Sequence, residues 1–440
     1  MKEQKGMDRR SFLKNSALGV SAVGVASTGL LASGNPQTAQ PEVSSTPFKI
    51  KEYRTLGRTG FKVSDVSCGY VKDPTVLEKY LDAGVNYIDT AEEYENEQLI
   101  GTVIKNRDRK SLFITSKLVI KEDVSKEGFI ARTHKCLERL QTNYIDCMMM
   151  HSVENVKTLQ TEGFHAAMEQ LKKEGKIRFV GVSNHGSNFY TEPEETMEKV
   201  LTAAALDGRF DVMLLAYNFI QNDNGEKVLK LCREKNIGTT LMKVNPIGKI
   251  KVITERIAKL KAEGKEVPAE FLNMITKMEG KAKIAADFIA KYKLDDANRM
   301  RDAAIRFVLS NPDMNTVCCA VKNFDDIDAY VSLSGTRLQD MDKEKLAAYK
   351  EGCGAFYCRH ACGLCEPACP HKVPVNAIMR FNHYFEAQGK EKYAMKNYAH
   401  LNSAKADLCA TCSGHCEKAC PHGVPIHGLL HMAHRTLSLV

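Results

Sequence analysis

The 440-residue sequence contains no tryptophan, and nothing about its function follows from that. Three other absences exclude more. No sign of charge dominates: 62 Lys and Arg are interleaved with 54 Asp and Glu, for a formal net charge of +8. So mild a balance reads as a solvated surface, and no nucleic-acid partner is expected. No apolar run reaches the length a membrane span needs, about 20 residues. The nearest, Ser16 to Gly34, is built largely from Ala, Val, Gly, Leu and Ser and is only weakly hydrophobic, so no stable span is expected in the mature form. A flavin-binding motif is also missing.

That N-terminal run is informative in its place. Asp8-Arg9-Arg10-Ser11-Phe12-Leu13-Lys14 stands before it and the small residues Ala32 and Ser33 close it, the layout of a cleavable export signal. The paired arginines followed by Ser-Phe-Leu-Lys resemble a twin-arginine signal, the bacterial address for proteins exported already folded. The resemblance implies a signal peptide over residues 1–34, use of the twin-arginine export machinery and a periplasmic destination. Residues 35–48, rich in Pro, Ser, Thr and Gln, read as a flexible tether.

Beyond the tether, β-rich runs alternate with helical patterns. The runs are Val63 to Gly69, Asn86 to Thr90, Phe113 to Leu118, Tyr144 to His151, Phe179 to Asn184, Val212 to Asn218, Gly238 to Val244 and Thr316 to Val321. Helical patterns include Thr75 to Ala83, Lys126 to Leu140 and Leu159 to Lys173. Such alternation predicts an α/β fold with a parallel sheet, and eight units match a barrel. The connection from Pro246 to Met300 is long and loaded with Lys and Glu at helical spacing. It is expected to be a helical excursion over the barrel mouth that shapes a substrate pocket, or a solvated decoration. Three strand ends carry chemistry: Asp89 with Tyr94 in the following loop, Lys117, and His151.

The order Asp89, Tyr94, Lys117, His151 in these contexts resembles the aldo-keto reductase superfamily. Tyr53-Arg54-Thr55-Leu56-Gly57-Arg58-Thr59-Gly60-Phe61-Lys62-Val63-Ser64 is similar to that family's opening hairpin. Leu137-Glu138-Arg139-Leu140 before Tyr144-Ile145-Asp146, and Gly175-Lys176-Ile177-Arg178 before Gly181-Val182-Ser183-Asn184-His185, match its later signatures. The likeness implies a closed (β/α)8 TIM barrel over residues 49–340, a small carbonyl or alcohol substrate, and NADP or NAD as cofactor. Tyr94 is implied as general acid. A free phenol, with pKa about 10, holds its proton too tightly for that task, and a nearby ammonium lowers it, which is the role implied for Lys117. Asp89 would hold Lys117, and His151 would orient the carbonyl oxygen. Ser183 and Asn184 match the pair that binds the nicotinamide carboxamide, and Lys322 is placed to meet a ribose phosphate. The chain departs from the family at three positions: Leu214 stands for a glutamine, Met242 for a stacking tyrosine and Tyr330 for an asparagine.

Fifteen cysteines divide unevenly, with eight between Cys358 and Cys420. The scattered seven read as small core hydrophobes; Cys318 and Cys319, neighbours on one strand, point to opposite faces. The crowded eight lie in a repeat with a period of 51 residues: Cys358, Cys365, Cys369, Pro370, His371, Val373 and Pro374 recur as Cys409, Cys416, Cys420, Pro421, His422, Val424 and Pro425. Cys362 and Cys412 complete the two runs. The pattern is close to the bacterial ferredoxin run, in which the fourth cysteine of each motif serves the other cluster. It implies two 4Fe-4S clusters, one on Cys358, Cys362, Cys365 and Cys420, the other on Cys409, Cys412, Cys416 and Cys369. Zinc and disulfide knots are the rivals, and the doubled runs ending in Cys-Pro favour iron-sulfur over both. The helical stretch Val375 to Ala404 between the motifs points to a small α-helical ferredoxin-like domain over residues 341–440.

Two functions fit these features. The first is an exported oxidoreductase that interconverts a carbonyl and an alcohol while its clusters exchange single electrons with a redox partner protein. The second is an electron-transfer or interaction protein whose barrel no longer uses a nicotinamide.

Overall fold

Strands of this chain are buried on both faces, which explains why they read as continuous apolar runs. The computed structural model describes residues 48–120, 123–186, 195–247, 254, 255, 258, 262, 269–401 and 404–438. The expected signal, 1–34, and all but the last residue of the expected tether, 35–48, lie outside the described residues.

An antiparallel hairpin comes first, β1 (Tyr53–Thr55) and β2 (Lys62–Ser64). Its turn lies against the start of a barrel strand: Gly57 has φ +46°, and a Cβ there would sit 2.2 Å from the backbone nitrogen of Gly238. Leu56 and Val63 from the hairpin join the barrel's inner apolar cluster. The first barrel strand, β3, runs from Val66 to Val71, later than the sequence pattern places it. The cause is Asp65, a buried carboxylate that ends the hairpin and accepts hydrogen bonds from Ser334 Oγ (2.7 Å) and Gly335 N (2.8 Å).

Seven more strands follow: β4 (Tyr87–Asp89), β5 (Phe113–Val119), β6 (Ile145–His151), β7 (Ile177–Asn184), β8 (Val212–Ala216), β9 (Gly238–Met242) and β10 (Thr316–Val321). With β3 they form a closed, parallel, eight-stranded barrel in which β10 pairs β3. Helices cover its outside. The helix Pro74–Asp82 starts where Asp73 accepts the N–H groups of Thr75 and Val76 and Pro74 supplies a preset φ, and it buries Val76, Leu77, Tyr80 and Leu81 on one face.

Register and parity bring the strand-end residues together. Side chains alternate across a strand, so residues two or four apart share a face. Tyr87, Phe113, Cys147 and Met149 fill the barrel interior, which turns Asp89, Lys117 and His151 inward one layer higher. The ladders Asp89↔Thr115 and Val119↔His151 set these three on adjacent strands at the carboxyl rim.

After the barrel, helices Asp340–Cys353, Val375–Gln388, Glu391–Ala399 and Ile426–Leu437 and several short turns build the tail. A second apolar core joins them to Phe219 and Ile220 after β8 and to Met300, Ala303 and Ala304 of the helix Ala297–Leu309. The excursion expected over the mouth lies only partly within the described residues. Its helix Ala269–Tyr292 buries Met278, Ala282 and Ala285, spaced by four and three residues, in the tail's core. The tail segment between the cysteine motifs also reaches the mouth, through Arg380 and Lys390. Among the described residues no helix is long and apolar enough to cross a membrane.

Candidate active site at the barrel mouth

Four side chains that are far apart in the sequence meet at the rim. Lys117, fully buried, donates from Nζ to Asp89 Oδ2 (2.6 Å) and to the Thr90 carbonyl (2.6 Å). The same Nζ stands 4.8 Å from the centre of the Tyr94 ring, and the Tyr94 and His151 rings meet edge to face at 5.7 Å. Asp89 Oδ1 and His151 Nδ1 are buried with no hydrogen-bond partner among the described residues.

The electrostatics divide the roles. Burial, first, pushes the Asp89 carboxyl up, and Lys117 opposes it. Burial also holds the Tyr94 phenol well above its ordinary range, with the Asp89 charge adding to the effect. With burial the first cause of the shift, Tyr94 is a firm proton holder in the resting site. His151 is pushed well below the usual histidine value by burial and then by the cations Lys117, Arg380 and Lys390, and so it is neutral near pH 7.

Three tail residues at the mouth have no local signal in the sequence. Arg380, 1% exposed, donates to the carbonyls of His185 and Gly186 at the end of β7. Lys390 Nζ stands over three tyrosine rings, Tyr70 at 4.8 Å, Tyr94 at 5.4 Å and Tyr384 at 5.9 Å. Only the docking of Val375–Gln388 onto the barrel reveals them, and periodicity in those helices reports on the tail's own core.

The residues matched to nicotinamide binding also stand at the rim. Ser183 and Asn184 end β7 and are fully buried: Ser183 Oγ accepts from Ser152 N (2.8 Å), and Asn184 Nδ2 donates to the Val153 carbonyl (2.6 Å). Lys322 is exposed just past β10. Leu214 points into the inner cluster, and Met242 packs against it at the end of β9. Tyr330 lies away from the rim on the helix Phe324–Val331, against the outer core.

In the tail the eight thiols lie close together, and Cys365 of the first set is near Cys416 of the second as well as its own partners. Burial pushes Cys358 well up, and the neighbours that add to it are Cys365, Cys362 and Cys420. Burial raises Cys409 to about 12, with Cys416, Cys369 and Cys412 as its neighbours. One pocket is lined by Cys358, Cys362, Cys365 and Cys420 together. Among the described residues no three Cys, His, Asp or Glu groups are arranged to hold a metal ion.

Buried histidines make the fold acid-sensitive. His151 and His185, 3% and 4% exposed, are both held well below 6.5, chiefly by burial. Below pH 6.5 the unfolded chain therefore binds more protons than the folded one, and stability falls as pH falls. Denaturant titrations between pH 7 and 5 should show a loss of up to about 1.4 kcal/mol per pH unit for each of these histidines. His185→Asn should flatten the slope, and an unchanged slope in that variant would remove the explanation.

The model of the Aldo/keto reductase family matches residues 69–351, well over half of the chain and ending before the eight crowded cysteines. Methylglyoxal reductase DkgB of Escherichia coli O157:H7 is 30% identical over 207 residues, which cover 46% of this chain and 73% of that protein. Glyoxal reductase of Bacillus subtilis (strain 168) is 45% identical over 103 residues, 23% of this chain and 36% of that one. Among solved structures, an aldo-keto reductase enzyme from a Medee basin deep-sea metagenome library is similar at 20% identity with a TM-score of 0.46, over 68% of this chain and 96% of that chain.

Proposed function

Because the chain is an oxidoreductase belonging to the aldo/keto reductase family, we propose that it interconverts a small carbonyl compound and its alcohol at the barrel mouth, with Tyr94 as general acid and base. We propose further that its tail carries two 4Fe-4S clusters which exchange single electrons with a redox partner protein, and that it is exported to the periplasm by the twin-arginine route. The observation that carries the enzymatic reading is the meeting of Asp89, Tyr94, Lys117 and His151 at one rim.

The donor chemistry at the rim fits a nicotinamide. Ser183 and Asn184 would hold its carboxamide and Lys322 a ribose phosphate; when bound, the group supplies or accepts hydride. The chain's own residues manage the oxygen and the proton. His151, neutral, offers a ring N–H to the carbonyl oxygen and orients it. Tyr94, kept protonated by burial, gives its proton to the oxygen as it becomes an alkoxide, a contribution of about 10²- to 10⁴-fold. Asp89 fixes Lys117 beside the phenol, where the ammonium steadies the phenolate left behind. In the tail, eight thiols in two sets of four would supply the donors that iron-sulfur clusters use, and four of them line one pocket.

A second reading is favoured by one observation. Leu214 and Met242 put apolar groups where most family members place a glutamine and a stacking tyrosine, which suits a barrel that no longer uses a nicotinamide. One experiment separates the two: protein purified anaerobically from the periplasmic fraction is assayed for iron and sulfide, titrated with NADPH and NADH by fluorescence, and assayed with small dicarbonyls. Bound nicotinamide with turnover supports the enzyme; iron and sulfide without nicotinamide binding hands the function to the scaffold reading. Recovery only from the cytoplasm removes the export proposal.

A further inference from the structure

The two cysteine motifs are repeats, yet the partly buried cation between the first two cysteines of one has no counterpart in the other. Cys358-Arg359-His360-Ala361-Cys362 corresponds to Cys409-Ala410-Thr411-Cys412, so Ala410 stands where Arg359 would recur. Elsewhere the repeat is kept in detail: Asn376 N–H donates to Glu366 (2.8 Å), and His427 N–H donates to Glu417 (3.2 Å), 51 positions on.

Arg359 is held rigidly in place. Its Nη1 donates to the carbonyls of Gly354 (2.9 Å) and Tyr357 (2.8 Å), and its own carbonyl accepts from Asn376 Nδ2 (2.8 Å). Its Nε is buried without a partner among the described residues. The side chain lines the pocket formed by Cys358, Cys362, Cys365 and Cys420 and is within electrostatic reach of Cys358, Cys362 and Cys420. His422 Nε2 adds a polar contact 3.9 Å from Cys362 Sγ, whereas its repeat counterpart His371 is exposed. Lys418 stands in the second motif where Pro367 stands in the first, but it is exposed, and the other features that would weaken the contrast are balanced. Glu366 lies near the first set as Asp407 lies near the second, and the second set has its own N–H on sulfur, Val373 N to Cys369 Sγ at 3.4 Å.

The first set is also the one fastened to the barrel. Asn218 Nδ2 donates to Tyr357 Oη (3.1 Å), His360 N–H to Gln221 Oε1 (2.8 Å), Gln221 Nε2 to the His360 carbonyl (2.6 Å), and Met197 N–H to the Ala361 carbonyl (2.9 Å). The His360 ring is 6.5 Å from that of His185 at the end of β7, and a second pocket touches both Cys358 and Arg380 at the mouth. Around the second set, contacts such as His427 Nε2 on the Cys409 carbonyl (2.7 Å) stay within the tail.

We propose that Arg359 makes the cluster on Cys358, Cys362, Cys365 and Cys420 the stronger electron acceptor of the two, so that an electron shared between the clusters rests on the one fastened to the barrel. The inference rests on the cluster reading above. A cluster gains negative charge on reduction, and its potential follows net local charge and hydrogen bonds to its sulfurs, so a fixed guanidinium stabilises the reduced form. Cys358, Cys362, Cys365 and Cys420 would hold one group and Cys409, Cys412, Cys416 and Cys369 the other, and the chemistry these would supply is the exchange of one electron at a time, taken from an outside one-electron donor protein.

The test is an EPR-monitored redox titration of anaerobically purified full-length protein. Wild type should show two midpoint potentials. Arg359→Ala should lower the higher one alone, shifting the electron's partition between the clusters at least tenfold, which is about 59 mV for a one-electron couple; Arg359→Lys should keep most of the gap. The converse variant Ala410→Arg guards against cluster loss in Arg359→Ala, since it should raise the lower potential and narrow the gap. Equal shifts of both potentials, or none in either variant, overturn the inference while leaving the clusters standing. Wild-type protein without iron and sulfide overturns the cluster reading and this inference with it.

Discussion

Tyr94→Phe should lower carbonyl turnover by about 10²- to 10⁴-fold, the range a positioned proton donor supplies. The substitution removes one oxygen and keeps the ring, so the edge-to-face contacts with His151 at 5.7 Å and with Tyr70 at 5.6 Å persist. Substrate affinity should therefore change little, and the loss should fall on kcat. The phenol is held above its ordinary range by burial, so the rate of reduction by wild type should show no fall from phenol ionisation up to the ordinary tyrosine value. Undiminished turnover in Tyr94→Phe would mean that the proton comes from elsewhere and that the four-residue site is structural.

Lys117→Met has the largest expected effect on stability. It leaves a buried carboxylate without its counter-ion: Asp89 is 4% exposed, its Oδ1 has no partner among the described residues, and Oδ2 is held by Lys117. Breaking one side of a buried pair costs about 3–5 kcal/mol. The pH dependence has a definite sign. Asp89 is pushed above its unfolded value of 3.8 by burial even with the ammonium present. In the variant it takes up a proton in the folded state, so the deficit should be small near pH 4 and grow as pH rises. Asp89→Asn added to Lys117→Met removes the stranded charge and should recover part of the loss. Chemical denaturation of the three proteins at pH 5 and 8 checks this, and a deficit that is the same at both pH values would exclude an uncompensated Asp89 as the cause.

The two effects separate the jobs of the pair and the phenol. Asp89 and Lys117 are costly to bury and are tolerated because each satisfies the other, while Tyr94 and His151 keep groups turned to the mouth. Lys390, above three tyrosine rings at that mouth, adds a cation from the tail. The tail thus lies against the site, with Arg380 on the carbonyls of His185 and Gly186.

Much of this was legible in one dimension. The barrel strands announce themselves because burial on both faces forces unbroken apolar runs, and the alternation of side chains carries Asp89, Lys117 and His151 to the same face once Tyr87, Phe113 and Met149 are recognised as interior. The repeat at 51 residues divides eight thiols into two runs of four by spacing alone, and the exchange of the fourth cysteines comes from the ferredoxin resemblance. Boundaries were less legible at Asp65, where a buried carboxylate answered by Ser334 and Gly335 at the far end of the barrel divides hairpin from strand. The direction of the Tyr94 shift depends first on how deeply the ring sits and then on the Asp89 charge near it, quantities set by packing. So does what lies at the mouth: Met278, Ala282 and Ala285 turn the described helix of the long insertion toward the tail's core, while Arg380 and Lys390 bring the tail to the rim. Local periodicity and spacing are properties of neighbours in the chain and can be read there; which element docks on which, and what charge a buried group then feels, arises between segments hundreds of residues apart and is decided only when they pack.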